Sequence, residues 1–255
     1  MVVTLYAVIG LLIGSFLTVV VHRVPARRSI MAPRSQCPSC GTQIRARDNV
    51  PVISYVLLRG RCRACGARIS PRYPLTEAAT AALFVGAALA FDRILVQAMM
   101  AVFLAVVLAL AIIDLQKRVL PNRITYPAIV GFAVSILAGD LAGGGVDVVD
   151  GAIGLAAYGG GLLLVALVSP RGMGMGDVKF GAVIGLVLGS IGLSRVGVAA
   201  GVAILAGGVG AVVALAAGRS RKQALPFGPF MALGALVATF AGPQIAHAYV
   251  RLFAS

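Results

Sequence analysis

The run from Ile94 to Ile113, ILVQAMMAVFLAVVLALAII, decides the fold. It carries no charge, no proline, no glycine and a single strongly polar side chain, Gln97. Wound as a helix at about 1.5 Å per residue it is about 30 Å long, the thickness of a bilayer's hydrocarbon core. The same ruler, moved outward, finds seven more apolar runs, at 3–21, 75–91, 124–139, 149–168, 178–194, 196–217 and 229–250. The expected fold is therefore an all-α polytopic membrane protein of about eight transmembrane helices. Asp92-Arg93 and Ser194-Arg195 interrupt two nearly continuous runs and read as tight turns between antiparallel helices. Composition agrees: of 255 residues 60% are hydrophobic and 12% charged, with mean hydropathy +0.99, which excludes an ordinary soluble domain. Glycines such as Gly151, Gly154, Gly159 and Gly201, Gly207, Gly208, Gly210 suit close helix packing in lipid.

The net charge of +14 does not point to nucleic acid, because the basic residues gather between apolar runs instead of spreading over a folded polar surface. Under eight spans, the alternate loops 22–74, 114–123, 169–179 and 218–228 hold nineteen Lys or Arg, and the opposite side holds Arg93, Arg195 and Arg251. The positive-inside rule then puts those four loops in the cytoplasm and both termini outside. The first run has no basic residue before it and His22-Arg23 after it, the reverse of a signal peptide's order. It reads as a retained first helix, residues 1–22.

Residues 23–74 form the large cytoplasmic loop. Cys37-Pro-Ser-Cys40-Gly and Cys62-Arg-Ala-Cys65-Gly are two knuckles, each able to present two thiolates from one tight turn. Together they make the four-sulfur shell of a structural zinc site, closed to chemistry. A redox dithiol or an iron site is the alternative. The glycine after each pair suits a tight turn. Eleven arginines accompany Asp48 in residues 22–74, a charge suited to anionic lipid headgroups or to fixing orientation.

Carboxylates at the membrane edge are costly and so are candidates for function. Asp114 ends the run quoted first, in Ala111-Ile-Ile-Asp114-Leu-Gln-Lys-Arg-Val-Leu-Pro121-Asn122, and Asp177 sits in Gly174-Met-Gly176-Asp177-Val-Lys179 just before another run. The topology places both at the cytoplasmic ends of their helices, at one depth. Two carboxylates sharing a site cannot both ionise cheaply, so one keeps a proton while the other serves as base toward a water. Gly174 and Gly176 would let a substrate backbone come close. The alternatives are that Asp114 pairs with Lys117 or Arg118, that Asp177 caps its helix, or that both acids carry protons. Glu77, at the entrance of the second run, is a further candidate carboxylate, or an interfacial one pairing with Arg72. Lys179 is a candidate for tuning the acids, or an interfacial lysine reaching water.

These residues occur in a familiar order. Gly14-Ser-Phe16 through His22-Arg23-Val-Pro25, the two knuckles, Tyr73-Pro74-Leu-Thr-Glu77, the Asp114 segment, Gly-x-Gly-Asp177, and Leu225-Pro-Phe-Gly228-Pro229-Phe together resemble the type IV prepilin peptidases. The resemblance implies a membrane aspartic endopeptidase, residues 75–255, with Asp114 and Asp177 as its acids. The implied substrates are prepilins or pseudopilins, cut after glycine at the end of a short basic leader. It also implies methylation of the new amino terminus from S-adenosylmethionine, although no nucleotide-binding glycine motif follows a strand here. Asn122 stands where many members have Asp. The competing class is a proton-coupled transporter or a non-enzymatic assembly factor with a structural zinc loop; the oligomeric state is open.

Overall fold

The computed structural model describes residues 1–32, 34–169, 172–218 and 225–253. Arg171, Arg219, Arg221 and Lys222, counted above among the cytoplasmic charges, lie outside the described residues. The chain divides into two compact units, Met1–Ala105 and Val106–Ser255, with the boundary inside one helix.

The first unit contains α1 (Val2–Arg23), a 3-10 turn (Ala46–Asp48), α2 (Ile53–Leu57), α3 (Arg72–Ala90) and the first half of α4 (Ile94–Lys117). Helices α1 and α3 pack antiparallel at very close range. A Cβ on Gly10 would lie 2.6 Å from Ala81 Cα, and one on Gly14 2.7 Å from Glu77 Cα. In lipid, where burial of apolar surface drives association weakly, such Gly-x-x-x-Gly contacts gain dispersion by bringing backbones together. The outer face of α1 exposes Leu5, Val8, Leu12 and Phe16, as a lipid-facing helix does.

The second unit contains the rest of α4, then α5 (Asn122–Leu141), α6 (Val148–Leu155), a π-helical turn (Ala156–Gly160), α7 (Gly161–Val168), α8 (Met175–Gly189), α9 (Leu193–Ala216) and α10 (Gly228–Phe253). α6, the π turn and α7 follow without a break and together form one span, Val148–Val168. Among the described residues, seven helices are long and apolar enough to cross a membrane. The eighth expected run appears as α8, which has only 15 residues. From Phe180 on it is buried except at Ala182, and it packs against α5, α6, the π turn, α7, α9 and α10. A helix jacketed by protein need not match the bilayer's thickness, so its shortness carries no mismatch cost.

Small residues make this jacket possible. A Cβ on Gly154 would overlap the Gly185 carbonyl, and one on Gly159 would lie 2.8 Å from the Ala182 side chain. Gly207 and Gly210 of α9 instead receive the Phe227 and Phe230 rings, whereas Gly201 and Gly208 face open space. The turn between α8 and α9 falls at Ser190–Gly192, where Gly192 takes φ +137°, and not at Ser194-Arg195. Ser194 and Arg195 belong to the first turn of α9. Arg195 Nη1 donates to the carbonyls of Ala238 at 3.0 Å and Thr239 at 2.6 Å. Pro243, lacking an N–H, cannot serve the carbonyl four residues before it, that of Thr239, so the arginine satisfies an acceptor the proline frees.

Candidate active site and metal centre

Asp114 stands in the last turn of α4 and is buried. Arg118 ends that helix in a left-handed conformation, φ +54°, its N–H donating to the Asp114 carbonyl at 2.8 Å. The chain then returns through Val119, Leu120 and Pro121 into α5. Asp177 lies in the first turn of α8, where its Oδ2 accepts from the backbone N–H of Gly174 at 3.2 Å. The capping reading of Asp177 is thus realised, and its carboxylate is oriented by it.

Three contacts bring the acids to one end of the second unit. Gly176 packs on Leu120, whose Cβ would be 2.9 Å from a Cβ added there. Lys179 Nζ donates to Asn122 Oδ1 at 2.8 Å and lies 4.8 Å from the centre of the Tyr126 ring, tying α8 to α5. The Gly228 N–H, at the start of α10, donates to Asp114 Oδ2 at 2.9 Å. Leu120 follows Asp114 by six residues, so its contact with Gly176 sets both carboxylates at the same end. Lys179 itself contacts Asn122 and Tyr126.

Glu77 belongs to the first unit. It is buried in α3, and its Oε2 accepts from the backbone N–H of Val52 at 2.7 Å, so its partner is an amide and not the Arg72 guanidinium. Val52 has φ +60° and ψ −49°, and the Ile53 N–H donates back to the Pro51 carbonyl at 2.6 Å. This is a γ-turn of the strained, positive-φ kind, on a β-branched residue.

The four cysteines are free thiols whose Sγ atoms all lie within 4.8 Å of one another, with Cys37 and Cys65 at 3.9 Å. A tetrahedral shell with metal–sulfur bonds of about 2.3 Å has sulfur–sulfur edges of about 3.8 Å, so the donor set fits a metal ion. The two knuckles are built alike. Cys37 N–H donates to Thr42 O and Gly41 N–H to Cys37 O, both at 2.9 Å, and Cys62 and Gly66 repeat the pattern at 2.8 and 2.9 Å. Gly41 and Gly66 take φ +71° and +72°, a conformation that costs a residue with a Cβ. Hydrogen bonding with Thr42, whose Oγ1 is 3.3 Å from Cys40 Sγ, holds that thiol down to about 6. Backbone amides at Cys65 and Ala64 lower Cys62 as well, whereas Cys65, against the pull of the Ala67 amide, is pushed up to about 11 by the Cys40 thiol and by burial, so these thiols share their protons unequally. Arg63 donates to Asp48 from Nη2 to Oδ1 at 2.7 Å and from Nε to Oδ1 and Oδ2, both at 3.0 Å, which ties the 3-10 turn to the second knuckle. That arginine holds the Asp48 carboxyl below its usual range.

In the sequence, Gly228 figures only as part of the Leu225–Phe230 segment, and its bond to Asp114 is missed. Its Pro-Phe-Gly-Pro setting, ahead of the last apolar run, was the available signal.

The structure is a polytopic helical bundle with a buried Asp114 and a half-buried Asp177 at one end of its second unit, and comparison with known proteins gives it a family of membrane peptidases. Residues 8–91 match the Bacterial Peptidase A24 N-terminal domain, and residues 101–215 match the Type IV leader peptidase family. The chain belongs to the type IV leader peptidase family. It is 33% identical over 246 residues to a prepilin leader peptidase/N-methyltransferase of Bacillus subtilis (strain 168), covering 96% of each chain. A protein of the same description from Burkholderia pseudomallei (strain 1026b) is 38% identical, with 92% of this chain and 84% of the relative covered. One from Aeromonas hydrophila is 34% identical, with 96% and 92% covered. No solved structure shows significant similarity to the chain.

Proposed function

We propose that the chain is a multi-pass endopeptidase of a bacterial cytoplasmic membrane, with Asp114 and Asp177 as its catalytic pair. It removes the short basic leader of a type IV prepilin or pseudopilin after glycine and methylates the new amino terminus. The observation that carries this reading is the meeting of two backbone-oriented carboxylates at one end of the second unit. Of two acids sharing a site, one retains a proton and polarises the scissile carbonyl, while the other draws a proton from the attacking water. Oxygen bonds to the carbonyl carbon, and the amide nitrogen leaves with the proton returned to it. Gly174 and Gly176 present bare backbone beside Asp177, where an extended substrate can approach. The transporter and assembly-factor readings have no counterpart among the three relatives named above, all of which bear a peptidase's name.

Cys37, Cys40, Cys62 and Cys65 hold zinc, which closes the loop's fold and takes no part in the reaction. S-adenosylmethionine, when bound, supplies an electrophilic methyl group; the relatives' printed names support this second activity, and no residue is assigned to hold the donor. The excess of Lys and Arg in loops 22–74, 114–123, 169–179 and 218–228 favours a cytoplasmic site and outside termini, with the loop arginines against anionic headgroups. Purified chain incubated with a prepilin peptide is expected to cut after glycine. Asp114→Asn and Asp177→Asn are each expected to lower kcat by about a thousandfold or more; cutting that survives either change contradicts the pair.

A further inference from the structure

Gly228 begins α10 with its amide aimed at a buried carboxylate. Its N–H donates to Asp114 Oδ2 at 2.9 Å, and a Cβ in its place would lie 2.7 Å from that oxygen and 3.1 Å from Asp114 Cβ and Cγ. The first amides of a helix have no partner within it, and their dipoles favour negative charge. Asp114 itself occupies the last turn of α4, the end at which the helix dipole disfavours a carboxylate. α10 thus provides the donor that α4 cannot. The other acid is oriented differently, by the Gly174 amide at the start of its own helix.

We propose that Gly228 is a positioning residue for peptide cleavage: its amide fixes Oδ2 of Asp114 and leaves Oδ1 for the reacting water. The absence of a side chain is what permits the approach. This inference rests on the reading of Asp114 and Asp177 as the catalytic pair. It also makes the segment Leu225–Gly228 part of the working site, because any shift of α10's entrance moves the amide and with it the acid.

Gly228→Ala is the direct test, measured on the full chain in lipid nanodiscs with a prepilin peptide. The added methyl meets Oδ2, Cγ and Cβ of Asp114, so it displaces the carboxylate, and the Cβ contact at 3.1 Å asks the α10 entrance to give by only a small amount. The expected result is a fall in kcat of about a hundredfold with KM unchanged within about twofold. Gly10→Ala is the contrasting change outside the second unit, because its Cβ would lie 2.6 Å from the Ala81 Cα. It is expected to lower the thermal midpoint and leave kcat per folded molecule unaltered. If Gly228→Ala also lowers the midpoint, adding Asp114→Ala removes two of the three atoms it meets, Oδ2 and Cγ, and recovers most of the midpoint; no recovery assigns Gly228 to packing and overturns the inference. Wild-type kcat in Gly228→Ala, alongside an inactive Asp114→Ala, overturns the inference alone. Full cleavage by Asp114→Ala removes the catalytic pair, and the role of Gly228 falls with it.

Discussion

Glu77 Oε2 accepts from the backbone N–H of Val52, twenty-five residues away, at 2.7 Å. A γ-turn with positive φ on valine costs about 1–3 kcal/mol, and it persists only where its surroundings hold it. The Glu77 carboxylate is that holder. Glu77→Ala should therefore release the turn, at a cost of about 1–3 kcal/mol for the unpaired amide, while Glu77→Gln keeps an acceptor oxygen and most of the stability. Hydrogen exchange at the Val52 amide checks this: fast in Ala and slow in Gln is expected, and equal protection in both removes Glu77 from the role. Asp114, Asp177 and Glu77 all stood out in the sequence, since charge at a membrane edge is conspicuous. Their partners did not. Gly228, Gly174 and Val52 contribute backbone amides, which every residue but proline possesses, so no side-chain pattern advertises them. The choice of Arg72 as a partner for Glu77 failed for the same reason.

At the scale of helices, apolar length located every element that the sequence reading expected, because the bilayer imposes a ruler on helices that touch lipid. The ruler misjudged α8, whose surroundings are other helices. Gly10 and Gly14 illustrate the converse: their four-residue spacing was present in the sequence, but only the antiparallel crossing on Ala81 and Glu77 gives it meaning. The α6–α8 crossing is the tightest in the second unit, and Gly154→Leu should be incompatible with it. We expect that variant to lose folded yield in detergent, with a midpoint shift equivalent to more than about 3 kcal/mol, the scale of overpacking. A normal midpoint would mean that the two helices do not approach as described. The knuckles were more legible, since paired Cys-x-x-Cys spacing prescribes its own geometry. Metal analysis of the purified chain should find about one zinc per chain, and Cys62→Ser should lose it. Zinc retained in full by Cys62→Ser would exclude a four-thiolate site.

At the scale of the whole molecule, two compact units correspond to two family regions, residues 8–91 and 101–215. The unit boundary lies inside α4, so neither span counting nor the loop at residue 74 marks it. The candidate acids, the glycines around Asp177, Lys179 with Asn122, and Gly228 all fall in the second unit, whereas the cysteine cluster and Glu77 fall in the first. This separation predicts that cleavage depends on the second unit's residues, and that loss of the metal affects folding of the loop before it affects peptide cleavage. The central claim is that Asp114 and Asp177 together cut a prepilin leader. Intact-mass spectrometry of a prepilin co-expressed with the wild-type chain, with Asp114→Asn or with Asp177→Asn tests it most directly. The account predicts that wild type yields pilin shortened to the residue after the leader glycine and heavier by one methyl substitution, while both variants leave the prepilin at full length. Shortened pilin in either variant would contradict it.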